Sequence, residues 1–440
     1  MYKIPFDRSE LSFELPPEWQ GTLIESKTVP PIEDVPAAVA EALANPNNSP
    51  PLRELAEPGD KVCIAFTDIT RSSPDYLLVP PMLAELEVAG VRDEDITLLC
   101  GIGLHRPSTQ EEKVAKLGQA VVDRYRVIDN EPQNHEALVD LGTTESGIPL
   151  SVNRIAYEAD LLIATGIVEP HQYAGYSGGR KTLSVGAAGE AMIAYTHGPQ
   201  MVDHPGTRLG RIEGNPFHEA ITEAARRAGL RFIVNVVQDD QKRVVCVRAG
   251  EPEAAFKELV AFARTLYEIP VPQQYDVAIA GVGYPKDANL YQASRAASYL
   301  FFGPQPAVRP GGVFIIPAPC DEGAGEGVGE QRFLKAMQDA PDVHFILDEA
   351  RQHGYPPGQQ RAFVMAKVLE QNDVIIVGAK DPDLIRSAKF LAEPTIEAAF
   401  ARVSEKLGHD RSTHPKGGSR QGLDVLIVPH ALLTLPIVQG

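Results

Sequence analysis

The chain is poor in cysteine, and its few cysteines are not spaced for a metal site or a disulfide. Four cysteines occur in 440 residues, and none of them forms a Cys-x-x-Cys pair. Cys63, Cys100 and Cys246 lie inside apolar runs that are typical of buried strands. The pattern therefore predicts free, buried thiols in a reducing compartment. It disfavours a zinc or iron–sulfur site built on cysteine.

The chain also lacks a long apolar run and an excess of positive charge. No run of about 18 apolar residues occurs, and the segment Met1–Asp7 lacks the apolar core of a secretory signal. Lysine and arginine number 41 against 59 aspartates and glutamates, so the net charge is -18. We expect a cytoplasmic protein that binds neither nucleic acid nor a membrane, because both would need a basic face.

Complete nucleotide-binding motifs are missing as well. Gly101-Ile-Gly103 and Gly281-Val-Gly283 both lack the third glycine of the dinucleotide fingerprint. The segment Ser177–Thr182 resembles a phosphate loop, but Arg180 stands where the glycine before the lysine belongs. These departures disfavour a nucleoside triphosphatase and an NAD-dependent 2-hydroxy-acid dehydrogenase. The dehydrogenase is kept as an alternative function.

What the chain does contain is an alternation of short apolar runs with longer helical patterns. This alternation predicts an α/β fold with two Rossmann-like parallel-sheet domains. We expect an N-terminal domain over residues 1–270 and a C-terminal domain over 275–440, separated by a proline-marked linker. Segments 1–50 and 410–424 are rich in proline, glycine and polar residues, and the first is expected to wrap the surface. The predicted strands are 61–66, 96–100, 161–164, 232–237, 276–280, 312–316, 344–347, 374–377 and 425–428, and the predicted helices are 77–89, 215–228, 253–266, 330–337 and 394–406.

Polar side chains follow four of the predicted strands. Ligands of parallel α/β sheets bind at the carboxyl ends of the strands, so these turns are expected to converge on one cleft between the domains. Histidine can exchange a proton near neutral pH or bind a metal. The residues at these strand ends are Asp68, Arg71, His105, His171 and Gln292.

A glycine-rich segment over residues 175–189 carries the adjacent cations Arg180 and Lys181. Backbone N–H groups of such a segment can approach a phosphate that the cations neutralise, so we expect an anion site here. His197 follows closely, beside Gly198. The remaining histidines have no such setting and are expected to be structural: His135, His204, His218, His344, His353, His409, His414 and His430.

Taken in order, these turns resemble the lactate racemase family of nickel-pincer nucleotide-dependent 2-hydroxy-acid racemases and epimerases. The resemblance runs from about residue 60 to the end of the chain. It implies inversion of the C2 centre of a 2-hydroxy acid. The matching segments are Asp68–Arg71, Gly101–Pro107, Glu169–Lys181, His197 and Gly283–Gln292.

The resemblance also implies a role for each matching residue. The cofactor would be a pyridinium-3-thioamide-5-thiocarboxylic acid mononucleotide that carries nickel, attached covalently at Lys181 and supplied by maturation enzymes. His197 would be the nickel ligand, and His105 and His171 the acid/base groups on opposite faces of the substrate. Asp68, Gly178, Gly179 and Arg180 would help to bind the cofactor, and Arg71, Tyr291, Gln292 and Arg295 would bind the substrate.

Elementary chemistry agrees with such a mechanism. The C2 hydrogen of a 2-hydroxy acid is very weakly acidic, but it can leave as a hydride if the hydroxyl proton leaves with it. One histidine would take that proton, and the second would supply a proton after the hydride returns to the other face. A non-enzymatic binding protein for a nickel nucleotide or a small acid is a further alternative, because it would not need two facing histidines.

Two departures from the lactate enzyme concern the substrate side. Arg295 stands where that enzyme has lysine, and the single tryptophan, Trp19, is not at its active-site tryptophan position. The matching region is Tyr355–Arg361. Because a guanidinium can grip a second carboxylate, malate or another larger 2-hydroxy acid, including a sugar acid, is a candidate beside lactate.

Overall fold

The computed structural model describes residues 1–408 and 422–439. Its strands are β1 Tyr2–Phe6, β2 Ser9–Phe13, β3 Gln20–Leu23, β4 Val62–Thr67, β5 Ile96–Gly101, β6 Arg126–Asp129, β7 Leu138–Thr143, β8 Pro149–Asn153, β9 Leu161–Ile167, β10 Pro170–His171, β11 Gly175–Tyr176, β12 Leu230–Gln238, β13 Val244–Gly250, β14 Glu268–Val271, β15 Tyr275–Ala280, β16 Val308–Pro317, β17 Asp373–Val377, β18 Leu391–Glu393, β19 Asp424–Val428 and β20 Leu435–Val438.

The helices, several of them a single turn, connect these strands. They are α1 Val35–Ala44, α2 Asp75–Val88, α3 Gln110–Leu117, α4 Gln119–Arg124, α5 Arg154–Tyr157, α6 Gly179–Lys181, α7 Glu190–Thr196, α8 Pro199–Asp203, α9 Pro216–Arg227, α10 Pro252–Tyr267, α11 Leu290–Ala293, α12 Arg295–Phe301, α13 Val328–Asp339, α14 Val343–His353, α15 Gln360–Gln371, α16 Pro382–Ser387 and α17 Ile396–Gly408.

The first large sheet has the strand order β13-β12-β9-β4-β5-β6. Its strands are parallel except β13, which runs antiparallel to β12. Every residue of β4 is buried because helices cover both faces. Ile64 and Phe66 pack with α1 and α2, while Cys63 and Ala65 face the opposite layer with α10. The near-continuous apolar run seen in the sequence follows from this double coverage.

The second large sheet has the strand order β18-β17-β16-β15-β19-β3, and all its strands are parallel. Val277 and Ile279 pack against α17 on one face, and Ala278 and Ala280 pack against α12 and α15 on the other. The predicted α/β class with parallel sheets is confirmed. Each sheet again places its loops and helix starts at the carboxyl ends of its strands.

The first residues of the chain belong to the second sheet. Strand β3 pairs with β19, and Ile4 and Phe13 of the β1–β2 hairpin lie in the core beneath that sheet. The expectation that segment 1–50 only wraps the surface is therefore wrong for these residues. The division into domains at 1–270 and 275–440 stays a prediction, and the pairing of β3 shows that residues 20–23 pack with the later half.

One predicted strand is a helix. Residues 344–347 lie in α14, which begins after Asp342, whose carboxylate accepts a hydrogen bond of 2.8 Å from the N–H of Phe345. The other eight predicted strands and the five predicted helices are confirmed, with shifts of a few residues at their ends.

Three further points concern the cysteines, membrane-spanning helices and the segment near the C-terminus. The four cysteines are free and buried, as expected. Within the described ranges no helix is long and apolar enough to cross a membrane. His409, His414 and most of segment 410–424 lie outside the described residues.

Candidate active site

A cavity of about 740 Å³ lies where β4, β5 and β9 end. Thr67, Gly101 and Ile167, the last residues of these strands, line it, as the strand-end rule leads one to expect. Residues of α11, α12 and the start of α15 line the same cavity. It brings together most of the predicted site residues: Asp68, Arg71, His105, His171, Gly178, Lys181, His197, Tyr291, Gln292 and Arg295.

His105 is paired with a buried carboxylate. Its Nδ1 lies 2.6 Å from Oδ2 of Asp68, and the Thr70 hydroxyl donates to Oδ1 of Asp68 at 2.7 Å. Burial opposes ionisation of Asp68, but the hydrogen bonds from His105 and Thr70 outweigh it and lower the pKa of this carboxyl. An ionised Asp68 accepts from Nδ1–H, so Nε2 of His105 is the nitrogen that can take a proton.

His171 is held differently, by backbone N–H groups. Its Nδ1 accepts hydrogen bonds from the N–H of Tyr173 at 3.3 Å and of Ala174 at 3.1 Å. The neutral ring must therefore carry its hydrogen on Nε2. Burial and the charges of Lys181 and Arg71 lower the pKa of His171 well below its ordinary value. The structure thus presents His171 as a neutral N–H donor.

The turn that sets His171 requires glycine. His171 pairs with Gly175 across the short β10–β11 hairpin. Gly175 has a φ of +76°, and a Cβ there would lie 2.0 Å from the backbone oxygen of Arg211. Only a residue without a side chain fits this conformation and this close approach.

His197 ends α7 with its ring directed by a backbone carbonyl. Its Nδ1 lies 3.0 Å from the oxygen of Ile193, so Nδ1–H donates and Nε2 keeps its lone pair. Burial and the charge of Lys181 lower the pKa of His197 to about 4. A neutral imidazole oriented by its second nitrogen is the usual state of a metal ligand.

Lys181 lines the cavity without a side-chain hydrogen-bond partner among the described residues. Burial and the neighbouring charge of Arg71 lower the pKa of Lys181 to about 7. A lowered pKa favours the neutral, nucleophilic form of this amine. Gly178, at a φ of +154°, begins the turn, and a Cβ there would lie 2.9 Å from ring atoms of Phe256.

Arg180 and Gly179 do not line the cavity. Arg180 is 4% exposed, its guanidinium lies 4.0 Å above the ring of Phe256, and it donates to the Thr222 hydroxyl at 2.9 Å. The N–H of Gly179 donates to Asn235 at 3.1 Å. Successive residues of a helical turn point about 100° apart, so the structure does not bring the two adjacent cations to one anion.

Gln292 and Arg295 share one face at the α11–α12 junction, as their spacing predicts. The Oδ1 of Asn289 accepts from the N–H of Gln292 at 2.9 Å and starts the first of these helices. Arg295 donates to Oε1 of Gln292 at 3.1 Å and to the hydroxyl of Tyr299 at 2.7 Å. The half-buried guanidinium is thereby fixed in position by two neutral groups.

Sequence reasoning missed Arg361 as a site residue. This arginine is 8% exposed and lines the cavity from the start of α15. Tyr355 also lines the cavity, and its hydroxyl donates to the backbone oxygen of His197 at 2.8 Å. Both lie in segment 355–361, which the resemblance is expected to pair with the tryptophan region of the lactate enzyme. The segment was therefore marked by the sequence, but the direction of the guanidinium was not.

The protein by itself offers few ligands for a metal. Across residues 1–408 and 422–439 no three histidine, cysteine, aspartate or glutamate side chains are placed to hold a metal ion together. A metal at Nε2 of His197 would thus need its other ligands from a non-protein group. A metal–sulfur pincer on a nucleotide is such a group, so the single oriented imidazole fits it.

The chain matches two family models over most of its length. The lactate racemase N-terminal domain matches residues 6–210, and the lactate racemase C-terminal domain matches residues 272–416. A lactate racemase of Thermoanaerobacterium thermosaccharolyticum is 34% identical, covering 85% of this chain and 87% of the relative. A lactate racemase of Lactiplantibacillus plantarum is 33% identical, covering 92% of this chain and 95% of the relative.

Solved structures agree with these relatives. The lactate racemase apoprotein of Thermoanaerobacterium thermosaccharolyticum superimposes with a TM-score of 0.85 at 29% identity, covering 99% of both chains. A crystal structure of a Thermotoga maritima protein has a TM-score of 0.64 at 20% identity, covering 92% of this chain and 98% of the other, and shows a likeness of fold alone. Fold and site together define an isomerase of the racemase class. The chain belongs to the lactate racemase family.

Proposed function

We propose that this racemase inverts the C2 centre of a small 2-hydroxy acid, lactate-like or malate-like, by coupling proton transfer to hydride transfer. The observation that carries the proposal is one cavity on which His105, paired with Asp68, and His171 lie together with Lys181 and His197. We place this cavity in the cleft between two Rossmann-like domains, residues 1–270 and 275–440. The cytoplasmic location stays a prediction.

The residues present suit a nickel-pincer nucleotide. His197 would bind the metal through Nε2, and the amine of Lys181 would form the covalent attachment. Asp68 and Gly178 would contact the nucleotide, whereas Arg180 and Gly179 face away and are unsuited to the phosphate. Such a cofactor must be supplied by maturation enzymes. When bound, it supplies the acceptor for the C2 hydride.

Arg71 and His105 prepare the substrate for the loss of that hydride. Arg71 is exposed to the cavity and has no side-chain partner among the described residues, so its guanidinium is available for the carboxylate. Nε2 of His105 takes the hydroxyl proton, and ionised Asp68 stabilises the resulting imidazolium through Nδ1–H. Loss of the proton and the hydride leaves a planar 2-keto acid in the cavity.

His171 acts on the carbonyl oxygen of the keto acid. Its Nε2–H is a hydrogen-bond donor because Nδ1 is occupied by two backbone N–H groups. The oxygen gains negative charge as the hydride is returned to the opposite face, and the Nε2–H of His171 stabilises that charge by donating a hydrogen bond. The proton that His105 took is then given back to restore the hydroxyl, so both rings end the reaction in their starting state. The other enantiomer follows the same path backwards.

The test is a panel of single-enantiomer 2-hydroxy acids incubated with the cofactor-loaded protein and read by chiral chromatography. We expect each substrate to approach an equal mixture of enantiomers without any added nicotinamide cofactor. The cofactor-free protein is the control. A rise in reduced-nicotinamide absorbance after NAD is added would indicate the dehydrogenase instead. Stoichiometric nickel with no interconversion of any acid would indicate a binding protein.

A further inference from the structure

Arg361 is a buried cation without an anion. Its Nη1 donates to the hydroxyl of Ser298 at 2.9 Å, and its guanidinium carbon lies 5.4 Å from the centre of the Tyr291 ring. Its buried Nε has no hydrogen-bond partner. Across the described ranges, no carboxylate lies within ion-pair distance of this guanidinium. All its partners are therefore neutral, although the side chain lines the cavity.

Elsewhere in the protein, a buried cation is paired with a carboxylate. Lys116, 5% exposed, lies 2.8 Å from the carboxylate of the fully buried Asp75. Moving a charge out of water is unfavourable, so a buried charge is normally paired with an opposite charge. Arg361 has comparable burial and lacks such a pair. Arg180 also lacks a carboxylate partner among the described residues, but it does not line this cavity, whereas Arg361 does. The position of Arg361 on the cavity wall therefore points to an anion that enters from solution.

The cations of the cavity come from two sets of elements. Arg71 follows β4 and Lys181 ends α6, at the carboxyl edge of the first sheet, whereas Arg361 lies at the start of α15, in a helical layer of the second sheet. Arg361 therefore enters the cavity from a different layer of the protein from Arg71.

We propose that Arg361 forms a subsite for the distal carboxylate of a dicarboxylic 2-hydroxy acid, while Arg71 holds the carboxylate next to C2. This deepens the proposed function and rests on it for the reaction, although not for the binding. Arg295, which the sequence suggested for the distal carboxylate, already donates from both terminal nitrogens, to Gln292 and to Tyr299, whereas Arg361 donates from Nη1 alone.

Arg361 keeps free donors for such a contact. Nη1 is engaged by Ser298, while Nε is unpartnered and Nη2 makes no hydrogen bond to any described residue. Nε and Nη2 form one edge of the planar guanidinium, and that edge can donate two parallel hydrogen bonds to a carboxylate. Binding of the diacid would pair the charge and satisfy Nε at the same time.

The test compares two ligands that differ only at the distal end, racemic malate and racemic 2-hydroxybutyrate, which carries a methyl group in place of the second carboxylate. Calorimetric titration of the cofactor-loaded protein measures binding, and racemic ligands prevent net heat of interconversion. We expect wild type to bind malate at least about tenfold more tightly, the size of one charge-assisted contact. Arg361→Met should remove the preference and leave the affinity for 2-hydroxybutyrate within about twofold.

Two further variants complete the design. Arg361→Lys keeps the charge without the fork and should retain part of the malate preference, even if Arg361→Met fails to fold. Arg332→Met removes an exposed cation of the same cavity that donates to the oxygen of Pro357, and it should leave the preference unchanged. Racemic 2-hydroxyglutarate extends the series by one carbon and measures the depth of the subsite.

Several outcomes overturn the proposal. An equal loss for both ligands in Arg361→Met would assign Arg361 to the common carboxylate. Loss of bound cofactor from that variant, with the ligand preference intact, would assign it to a nucleotide phosphate. If wild type prefers malate but interconverts no acid, the subsite stands and the racemase mechanism fails. If it interconverts 2-hydroxybutyrate and shows no preference for malate, the mechanism stands and the subsite fails.

Discussion

The two histidines proposed to act on the substrate oxygen are held in the cavity by different means. His105 follows β5 and is hydrogen-bonded to the side chain of Asp68, which follows β4. His171 lies in a tight hairpin and accepts hydrogen bonds from backbone N–H groups of residues that follow it closely. The Asp68 carboxylate accepts from Nδ1–H of His105 and leaves Nε2 without a hydrogen, whereas two N–H groups pointing at Nδ1 of His171 leave its hydrogen on Nε2. Two identical side chains thus differ in what they can do.

The chemical role of each histidine therefore depends on its hydrogen-bond partners and not on its position in the sequence. His105 has the arrangement of a general base that can store a proton. His171 has the arrangement of a neutral donor, which polarises a carbonyl without becoming charged. To accept a proton at Nε2, His171 would first have to place a hydrogen on Nδ1, against Tyr173 and Ala174.

The largest expected effect comes from removing either ring. His105→Ala and His171→Ala should each lower turnover by roughly two to four orders of magnitude, the usual size of acid/base catalysis. Nickel content should stay near that of wild type, whereas His197→Ala, the matched control, should lose the metal. Steady-state turnover and metal analysis on the same preparations measure both. Near-normal turnover in either alanine variant would remove that histidine from the mechanism.

The next largest effect distinguishes the carboxylate that orients His105 from the backbone N–H groups that orient His171. Asp68→Asn should lower turnover by about 10²-fold, because the amide cannot stabilise the His105 imidazolium as a carboxylate does. His171 is oriented by backbone N–H groups, so this substitution leaves its hydrogen bonds unchanged. Chiral chromatography of both reaction directions measures it. If Asp68→Asn reduces turnover no more than a change elsewhere on the cavity wall, such as Arg332→Met, the pairing is structural only.

A smaller effect distinguishes a donor from a base. Glutamine offers an amide N–H but no basic nitrogen, so it can replace a neutral donor better than a proton acceptor. His171→Gln should be about tenfold more active than His171→Ala, the value of one hydrogen bond in the transition state. His105→Gln should be no better than His105→Ala. If glutamine restored activity equally at both positions, the proposed difference between His105 and His171 would be wrong.

The smallest effect is on stability. Folded His171 stays neutral because burial and the charges of Lys181, Arg71 and Arg295 lower its pKa. The unfolded side chain takes a proton below about pH 6.5. The unfolded state then binds more protons, so the free energy of unfolding falls as pH falls below that value. Urea unfolding of cofactor-free protein at pH 7 and pH 5 should show a smaller loss for His171→Gln than for wild type, by up to about 1–2 kcal/mol.

The pattern of residues along the chain was enough to predict the α/β class, most of the strands and the set of turns that meet at the cavity. Periodicity carries this information, because a strand covered on both faces must be apolar throughout and the end of a parallel strand must face the ligand. The predicted strand at 344–347 failed for a related reason. A short run with three consecutive apolar residues, Phe345 to Leu347, suits a buried helix segment or a strand equally, and the cap at Asp342 decided for the helix.

Which side chains meet depends instead on how the folded elements pack together. Asp68 and His105 are 37 residues apart and become partners because β4 and β5 are adjacent in the sheet. Adjacent Arg180 and Lys181 separate because a helical turn directs them apart. Arg361 reaches the cavity from another sheet's helical layer. Hydrogen-bond partners, burial and charge balance depend on contacts distant in sequence, and these contacts exist only when the chain is folded.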